Sequence, residues 1–258
     1  NIKVLGGSAF QGCSSLAGTL SLPESLESIG SSCFQGCSML SGSLSLPSKL
    51  KEISYYCFYG CSGFTGDLII PESVEKIDSY AFEGCKGLSG RLVLPKSLKE
   101  LGEGAFSGCK FQGELVIPKY IQIIPSSCFW ECQFSSLIFE EGSELIKIES
   151  GAFYSNSRLC EPVVFPDGLI TLSSGWNYES GAFQDCRTLP EVVLPKSLTV
   201  IGQKAFVNCY GLSKITCNAT TPPIVGTGAF NGVAKDNFTL EVPESAVAKY
   251  QTANGWSD

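Results

Sequence analysis

Apolar and polar positions recur along this chain in one fixed order, with a period close to 24 residues. The clearest marker of the period is a phenylalanine that follows alanine or cysteine, at Phe10, Phe34, Phe58, Phe82, Phe106, Phe129, Phe153, Phe183, Phe206 and Phe230. Successive members are 23 or 24 residues apart, except for one interval of 30. Such self-similarity is typical of a solenoid, whose units bury their apolar sides by stacking on neighbours. The pattern predicts one repeat domain over residues 1–258.

Within each unit, part of the apolar pattern has the period of two that is typical of a strand with one buried face. In the first full unit Leu20 and Leu22 alternate with Thr19 and Ser21. A proline, which ends a strand ladder, follows such runs at Pro23, Pro47, Pro71, Pro95, Pro118, Pro166 and Pro195. Because the next copy of the strand runs in the same direction, we expect parallel pairing with about 4.8 Å per coil.

The other side of each unit, "SLESIG" and its copies, is apolar at every third residue. This pattern predicts either a loop or a second short extended segment, with any helix limited to a turn near "AFxGC". We place the repeats at about 1–232 and a C-terminal capping strand and helix at about 233–258. The helix is expected from about Pro243 to Ala253, with Val247 and Tyr250 turned inward. Residues 1–9 match the second half of a coil, so we expect the chain to begin inside an array or after a removed leader.

Composition narrows the possible chemistry. The chain has no histidine, which excludes Ser-His-Asp and Cys-His nucleophilic sites and histidine metal ligands. Its formal net charge is −7 and it shows no basic stripe, so nucleic acid is a poor candidate partner. Proline, glycine or charge interrupts every long apolar run, so we expect neither a membrane span nor a secretion signal in this segment.

Thirteen cysteines would suggest metal or disulfides if their positions were ignored. Eight of them stand three residues after the marker phenylalanine, namely Cys13, Cys37, Cys61, Cys85, Cys109, Cys132, Cys186 and Cys209. Asn156 takes that place in one unit, as expected where a small polar group can satisfy a loop backbone. Cys33, Cys57 and Cys128 stand where other units have alanine, so that site takes a small apolar group. We therefore expect buried free thiols and no metal; disulfides between neighbouring coils remain an alternative.

The segments "SLSLPSKLKEISYYCFYGC", "IIPESVEKIDSYAFEGC" and "LPKSLTVIGQKAFVNC" resemble leucine-rich repeats of the BspA-like bacterial surface-antigen family, over nearly the whole chain. The C-terminal segment is similar to the closing segment of such arrays in Bacteroides-like bacteria. The resemblance implies a right-handed leucine-rich-repeat solenoid of the α/β-horseshoe class. It would be predominantly β, with short parallel strands and turns in about ten coils of 23–24 residues and a C-terminal cap.

Two displayed surfaces and one loop are the candidate binding sites. On the strand face, expected to be concave, they are Ile69, Arg91, Val93, Glu114, Val116 and Ile138. Cross-strand pairing and strand propensity are the alternative explanation of that face. Trp130 and Tyr154 follow marker phenylalanines of adjacent units, and Trp176 and Tyr178 lie in the 30-residue interval.

The resemblance implies a non-enzymatic recognition module, exported to the cell surface or secreted, that adheres to host matrix or plasma proteins or to cell-surface glycans. We expect a monomer with no catalytic, cofactor or metal site. An enzyme would need an activated thiol or a carboxylate pair in a cleft, and the sequence indicates neither. The alternative function is that of a passive spacer presenting another domain.

Overall fold

The computed structural model describes residues 2–174, 180–236 and 238–257. Its regular structure is almost entirely short strands: β1 (Val4–Leu5), β2 (Gly18–Thr19), β3 (Ser28–Ile29), β4 (Leu40–Ser41), β5 (Glu52–Ile53), β6 (Leu68–Ile69), β7 (Lys76–Ile77), β8 (Leu92–Val93), β9 (Glu100–Leu101), β10 (Gln112–Ile117), β11 (Ile123–Ile124), β12 (Gln133–Phe139), β13 (Lys147–Glu149), β14 (Val163–Val164), β15 (Thr171–Ser174), β16 (Glu191–Leu194), β17 (Val200–Ile201), β18 (Lys214–Cys217), β19 (Ile224–Val225) and β20 (Thr239–Glu241). A 3₁₀ turn, Glu244–Ala246, and the one-turn helix α1, Val247–Tyr250, follow them.

The strands form two walls. The even-numbered strands make one wall, called here the proline ladder because a proline follows most of them, and the odd-numbered strands make the second ladder. The proline ladder contains the sheets β2–β4, β6–β8, β10–β12 and β14–β16–β18–β20, and the second ladder contains β1–β3, β5–β7–β9 and β11–β13–β15–β17–β19. Pairing in the described part of the chain is parallel, as in Ile69 with Val93 and Ile77 with Leu101. The predicted parallel solenoid of about ten coils is confirmed.

The segment "SLESIG" and its copies form short extended strands, so the second of the two predicted alternatives is correct. The strands of the second ladder are two to four residues long and pair coil to coil, with Ser28–Ile29 on Val4–Leu5 at one end of the array. In the first coils the strand prediction was wrong at its edges, because β2 ends at Thr19, before Leu20 and Leu22, and β4 ends at Ser41, before the next such pair, Leu44 and Leu46. Gly18 and Gly42 have φ of 95° and 78° there, and the ladder is confined to the residues beside these bends.

A stack of phenylalanine rings runs through the core between the two walls. The ten marker phenylalanines contact one another in sequence, with centroid distances of 5.0 to 5.8 Å over the nine steps. The step from Phe153 to Phe183 measures 5.0 Å although 30 residues separate the two in sequence. One phenylalanine per coil therefore forms a continuous aromatic spine at nearly the strand repeat.

The cysteines beside this stack satisfy backbone groups. Cys61 Sγ donates to the Phe34 carbonyl oxygen at 3.0 Å, and the corresponding thiols from Cys37 to Cys209 make the same bond to the preceding coil. All thirteen cysteines are free, and eleven are buried. Cys13, in the first coil, and Cys160 are exposed, so the expectation of a buried thiol was wrong for Cys13, which has no earlier coil packed over it among the described residues.

The C-terminal segment packs on the last coils. β20 pairs with β18, Ala246 and Tyr250 are buried, and the Tyr250 hydroxyl donates to the Ala219 carbonyl oxygen at 2.9 Å. Trp256 Nε1 donates to the Pro223 carbonyl oxygen at 2.8 Å. The helical stretch is shorter than predicted, and Val247 is 41% exposed, so its predicted inward orientation was wrong. In this turn Ala246 and Tyr250, four residues apart, occupy the buried face instead.

Candidate interaction surfaces

A row of aliphatic side chains follows the outward face of the proline ladder. Ile69 and Val93 are paired in register, as are Val116 and Ile138, and Val164 and Val193. The exposed fractions of four of these residues are large, at 59% for Ile69, 41% for Val93, 43% for Ile138 and 59% for Val164. We call these six residues the apolar stripe. They lie on six successive coils, about 24 Å along the array at the strand repeat, and the predicted alignment is seen within each of the three pairs.

Charged residues flank the apolar stripe at its N-terminal end. Arg91 donates two side-chain hydrogen bonds to Asp67, at 3.2 and 2.9 Å, and the Arg91 backbone N–H donates to the same carboxylate at 2.8 Å. These bonds, led by the one from the backbone, hold the pKa of Asp67 below its usual value. Glu114 is exposed and lies in register with Ser136. Pairing with Asp67 on the neighbouring strand therefore explains the presence of Arg91, in agreement with the alternative to a binding role that the sequence analysis gave.

The aromatic pair named from the sequence lies on the edge between the second ladder and the cysteine turns. Trp130 and Tyr154 stack with their ring centroids 3.9 Å apart and their planes 12° apart. Both are half-buried. Burial, followed by the nearby Asp185 carboxylate, raises the pKa of Tyr154. The two rings thus support each other as one rigid platform.

A cluster of tyrosines on the same edge was missed from the sequence. The ring of Tyr56 contacts those of Tyr55, Tyr59 and Tyr80 at 4.2, 4.9 and 5.1 Å. A hydrogen bond with Tyr55, and then burial, raises the pKa of Tyr56 to about 12. Tyr56 and Tyr80 have φ of 53° and 58°, at a position where most other coils have serine or glycine and one has Lys204, with φ of 56°. The recurring small residue was the signal of a left-handed turn that directs the side chain outward.

The outward face of the second ladder is charged in its first half and carries exposed isoleucines beside Lys147 and Thr171 in its second half. Ion pairs join neighbouring coils in the first half, as in Lys3–Glu27 at 2.8 Å and Glu75–Lys99 at 2.6 Å. Exposed isoleucines occupy this face in the second half, namely Ile123, Ile146, Ile170 and Ile224. The sequence analysis did not single out these isoleucines, although each stands where earlier coils alternate lysine and glutamate or carry small residues.

Trp176 and Tyr178, the two candidate binding residues of the 30-residue interval, lie outside the described residues.

Burial is the main cause that raises the pKa of the core thiols, for example to about 12 at Cys61 and Cys209, so the reactive thiolate form is suppressed there. Within the described ranges, no group of three or more cysteine, aspartate or glutamate side chains is arranged to hold a metal ion. Over the same ranges, none of the helical structure has the length and apolar character needed to cross a membrane.

Comparison with known proteins agrees with the geometry of the coils. A family model described as the BspA type leucine rich repeat region matches residues 1–90, 89–179 and 177–251, with six copies. The chain belongs to this family. Its BspA-type repeats account for both the phenylalanine stack and the two ladders. Comparison with curated proteins finds none that matches the chain.

Crystal structures of other bacterial repeat proteins are similar to this BspA-type array. A leucine rich cell surface protein from Faecalibacterium prausnitzii is 19% identical, over 97% of this chain and 85% of the other, with a TM-score of 0.45. A leucine-rich repeat protein from Bacteroides ovatus is 21% identical, over 95% and 88%, with a TM-score of 0.39. One from Eubacterium ventriosum is 20% identical, over 94% and 82%, with a TM-score of 0.53, and supports the fold alone.

Proposed function

We propose that this chain is a non-enzymatic recognition module, exported and displayed at or released from the bacterial surface, that binds a protein partner through the apolar stripe. The observation that carries the proposal is the series of isoleucine and valine side chains on six successive coils of the proline ladder, which form three in-register pairs and include four exposed residues. Membership of the BspA-type family supports a role in interaction with other proteins. Adhesion to host matrix or plasma proteins is the form of recognition that we propose.

The position of the stripe favours binding over strand propensity alone. At the corresponding repeat position the first coils have Ser21 and Ser45, which are exposed and lie outside β2 and β4, and Val193 is followed in register by Thr216 and Glu241. This repeat position is therefore compatible with polar residues, yet six consecutive coils carry aliphatic ones. Covering each exposed aliphatic side chain with a partner would stabilise a complex by about 1 kcal/mol. Solenoids commonly bind extended partners along such a face.

Biolayer interferometry tests this proposal. The immobilised chain is exposed to a panel of matrix proteins, plasma proteins and mucin glycans, beside the variants Val93→Asp and Val116→Asp. Ser45→Asp is the matched control, because it introduces the same charge at the corresponding repeat position of a coil that precedes the stripe. Saturable binding of one protein, lost in the stripe variants and kept in Ser45→Asp, is the expected result.

A passive spacer is the second candidate function. It predicts that the chain alone binds no member of the panel and that Val93→Asp changes nothing but local charge. Equal binding by the parent, the stripe variants and the control would contradict the proposal that the apolar stripe is the binding surface. Recognition would then use another face of the array. We expect the chain to be monomeric, and light scattering of the same samples checks this.

A further inference from the structure

The turn around each marker phenylalanine, called here the phenylalanine turn, donates backbone hydrogen bonds to the following coil. In most coils the donors are the N–H groups of the phenylalanine and of the residues two positions before and after it. The last bonds of this kind run from Lys204, Phe206 and Asn208 to the carbonyl oxygens of Thr227, Ala229 and Asn231, at 3.3, 2.7 and 2.8 Å. A phenylalanine turn therefore needs acceptors on its C-terminal side.

The last phenylalanine turn lacks such acceptors among the described residues. Its equivalent donors are the N–H groups of Gly228, Phe230 and Gly232, and none of the three has a hydrogen-bond partner in the part of the chain that the structure describes. Gly228 and Gly232 have φ of 68° and 86°, in the left-handed region that the equivalent residues of the preceding coil also occupy. Because the turn keeps the conformation of the earlier ones, its three donors face the position of a further coil.

The C-terminal segment covers a different part of the last coil. In the second ladder the Ile224 N–H donates to the Thr199 carbonyl oxygen at 2.9 Å. Trp256 Nε1 makes the equivalent bond one coil later, to the Pro223 carbonyl oxygen at 2.8 Å. The C-terminal segment thus supplies a donor where the ladder needs one. The phenylalanine turn needs acceptors instead, and the described C-terminal residues give it none.

A pocket with a volume of about 590 Å³ lies between this turn and the C-terminal segment. The three donor residues line it, together with the half-buried apolar side chains of Val233, Phe238, Leu240 and Trp256. Trp256 contacts the Phe230 ring at 5.8 Å, so it takes the place of a further ring of the stack. The volume is within the range of about 300–1,000 Å³ that is usual for ligand sites. The pocket therefore has room for an apolar side chain beside Trp256.

We propose that this end of the array binds an extended segment of a protein partner, whose carbonyl oxygens accept hydrogen bonds from Gly228, Phe230 and Gly232 while an apolar side chain enters the pocket. Carbonyl groups at alternate residues of an extended segment point to the same side, which matches donors at alternate residues of the turn. Main-chain bonds of this kind give affinity, and a pocket for a side chain gives specificity. An inorganic anion would leave the apolar pocket empty.

The space over the last coil limits the length of the segment. A whole coil of a second copy would have to place a strand on Ile224–Val225, where Trp256 already holds the Pro223 carbonyl group. A Cβ atom at Gly255 would lie 2.8 Å from the Val225 Cβ, so the backbone of the C-terminal segment is packed against this strand. The partner therefore contributes a single segment over the phenylalanine turn. The site lies apart from the apolar stripe and does not depend on it.

Solution NMR of the ¹⁵N-labelled chain tests the proposal. The probe is a peptide with the sequence of residues 79–88, which supplies the three acceptor carbonyl groups to a phenylalanine turn inside the array. It carries Phe82→Ala, because Trp256 takes the place of that ring, and Cys85→Ser. A second peptide also carries Leu88→Ser and lacks this apolar side chain.

Two variants of the chain test the position of the site. Ala234→Arg places a long side chain at an exposed residue of the pocket lining. Tyr210→Arg is the matched control, because it places the same side chain at the equivalent exposed position one coil earlier, outside the pocket.

In the free chain we expect the amides of Gly228, Phe230 and Gly232 to exchange with solvent faster than the equivalent amides one coil earlier, which are hydrogen-bonded. The first peptide should shift these three signals saturably and leave the earlier ones unchanged. Its Kd should rise about tenfold or more in Ala234→Arg and stay the same in Tyr210→Arg and Val93→Asp. The second peptide should bind the parent more weakly than the first.

Slow exchange of the three amides in the free chain, or the absence of saturable shifts, would overturn the site. Equal Kd values for the two arginine variants would do the same, and equal Kd values for the two peptides would overturn the role of the pocket. Shifts of the three signals that grow with the concentration of the free chain, together with a rising mass by light scattering, would overturn the proposal in favour of a second copy as the occupant.

Discussion

The side-chain amide nitrogen of Asn156 donates to the Phe129 carbonyl oxygen at 2.9 Å. It thereby makes the bond that a cysteine thiol makes at the same position in the other coils, such as Cys132 to the Phe106 carbonyl oxygen at 3.4 Å. The position is therefore defined by a donor to the preceding coil rather than by sulfur chemistry. This explains why cysteines recur in the array without forming a site.

Replacing Asn156 by cysteine should stabilise the protein by about 1 kcal/mol. Asn156 Oδ1 is buried and has no hydrogen-bond partner among the described residues, and an unsatisfied buried acceptor costs about 1–3 kcal/mol. Cysteine keeps a donor for Phe129 and removes that acceptor. Urea unfolding followed by circular dichroism measures the change. Asn156→Ala, which removes the donor as well, should be less stable than the parent; equal losses in both variants would contradict this explanation.

Removing one ring from the phenylalanine stack should cost most in the middle of the array. Phe106 is fully buried and contacts Phe82, Phe111 and Phe129, so Phe106→Ala should lower the free energy of unfolding by about 3–5 kcal/mol. Phe10 is 37% exposed and has one ring neighbour among the described residues, so Phe10→Ala should cost less than half as much. Similar losses in the two variants, measured by urea unfolding, would argue against the stack as a main source of stability.

Thiol labelling should separate two cysteines from the other eleven. Cys13 and Cys160 are exposed, whereas the remaining cysteines are buried and free. A water-soluble disulfide reagent at neutral pH should therefore modify two thiols in the native protein and all thirteen in urea. The single variants Cys13→Ser and Cys160→Ser should each reduce the native count by one. A native count well above two would mean that the cysteine turns open readily, and a count below thirteen in urea would indicate disulfides.

The buried thiols should make stability fall at alkaline pH. Burial raises the pKa of Cys61 from 9.0 to about 12, so the unfolded chain loses this proton at lower pH than the folded protein does. The contribution of the thiol to stability is complete below about pH 9 and is lost as the pH rises toward about 12. One such group changes stability by at most about 1.4 kcal/mol per pH unit. Urea midpoints between about pH 8 and 10.5 should fall less steeply in Cys61→Ala; parallel slopes would contradict this assignment.

Much of the fold follows from the sequence because stacking imposes the same environment on each coil. Leu26, Ile29 and Phe34 recur in later coils, and most of their counterparts there are buried. Comparison of equivalent positions also identified the role of the cysteines. Alanine at one position indicates a small buried side chain, and Asn156 at the other indicates a hydrogen-bond donor to the backbone. The predicted single domain over residues 1–258, its boundaries and the binding role of the named surface residues stay predictions.

The tyrosine cluster could not be read from one coil. Tyr56 and Tyr80 lie in adjacent coils, and their contact depends on the left-handed turn at each of them. These features arise from departures from the repeat, whose side chains point outward, where stacking places no constraint on residue type.

The 30-residue interval has a practical meaning for protein engineering. Phe153 and Phe183 stack at 5.0 Å, and Leu172 pairs with Ile201 in the second ladder, so the longer connection leaves the axial packing unchanged. The number of residues in this interval can therefore change without changing the register of the core. A peptide cassette could be grafted between Leu172 and Phe183 and displayed at a fixed height on a rod whose length is set by the number of coils.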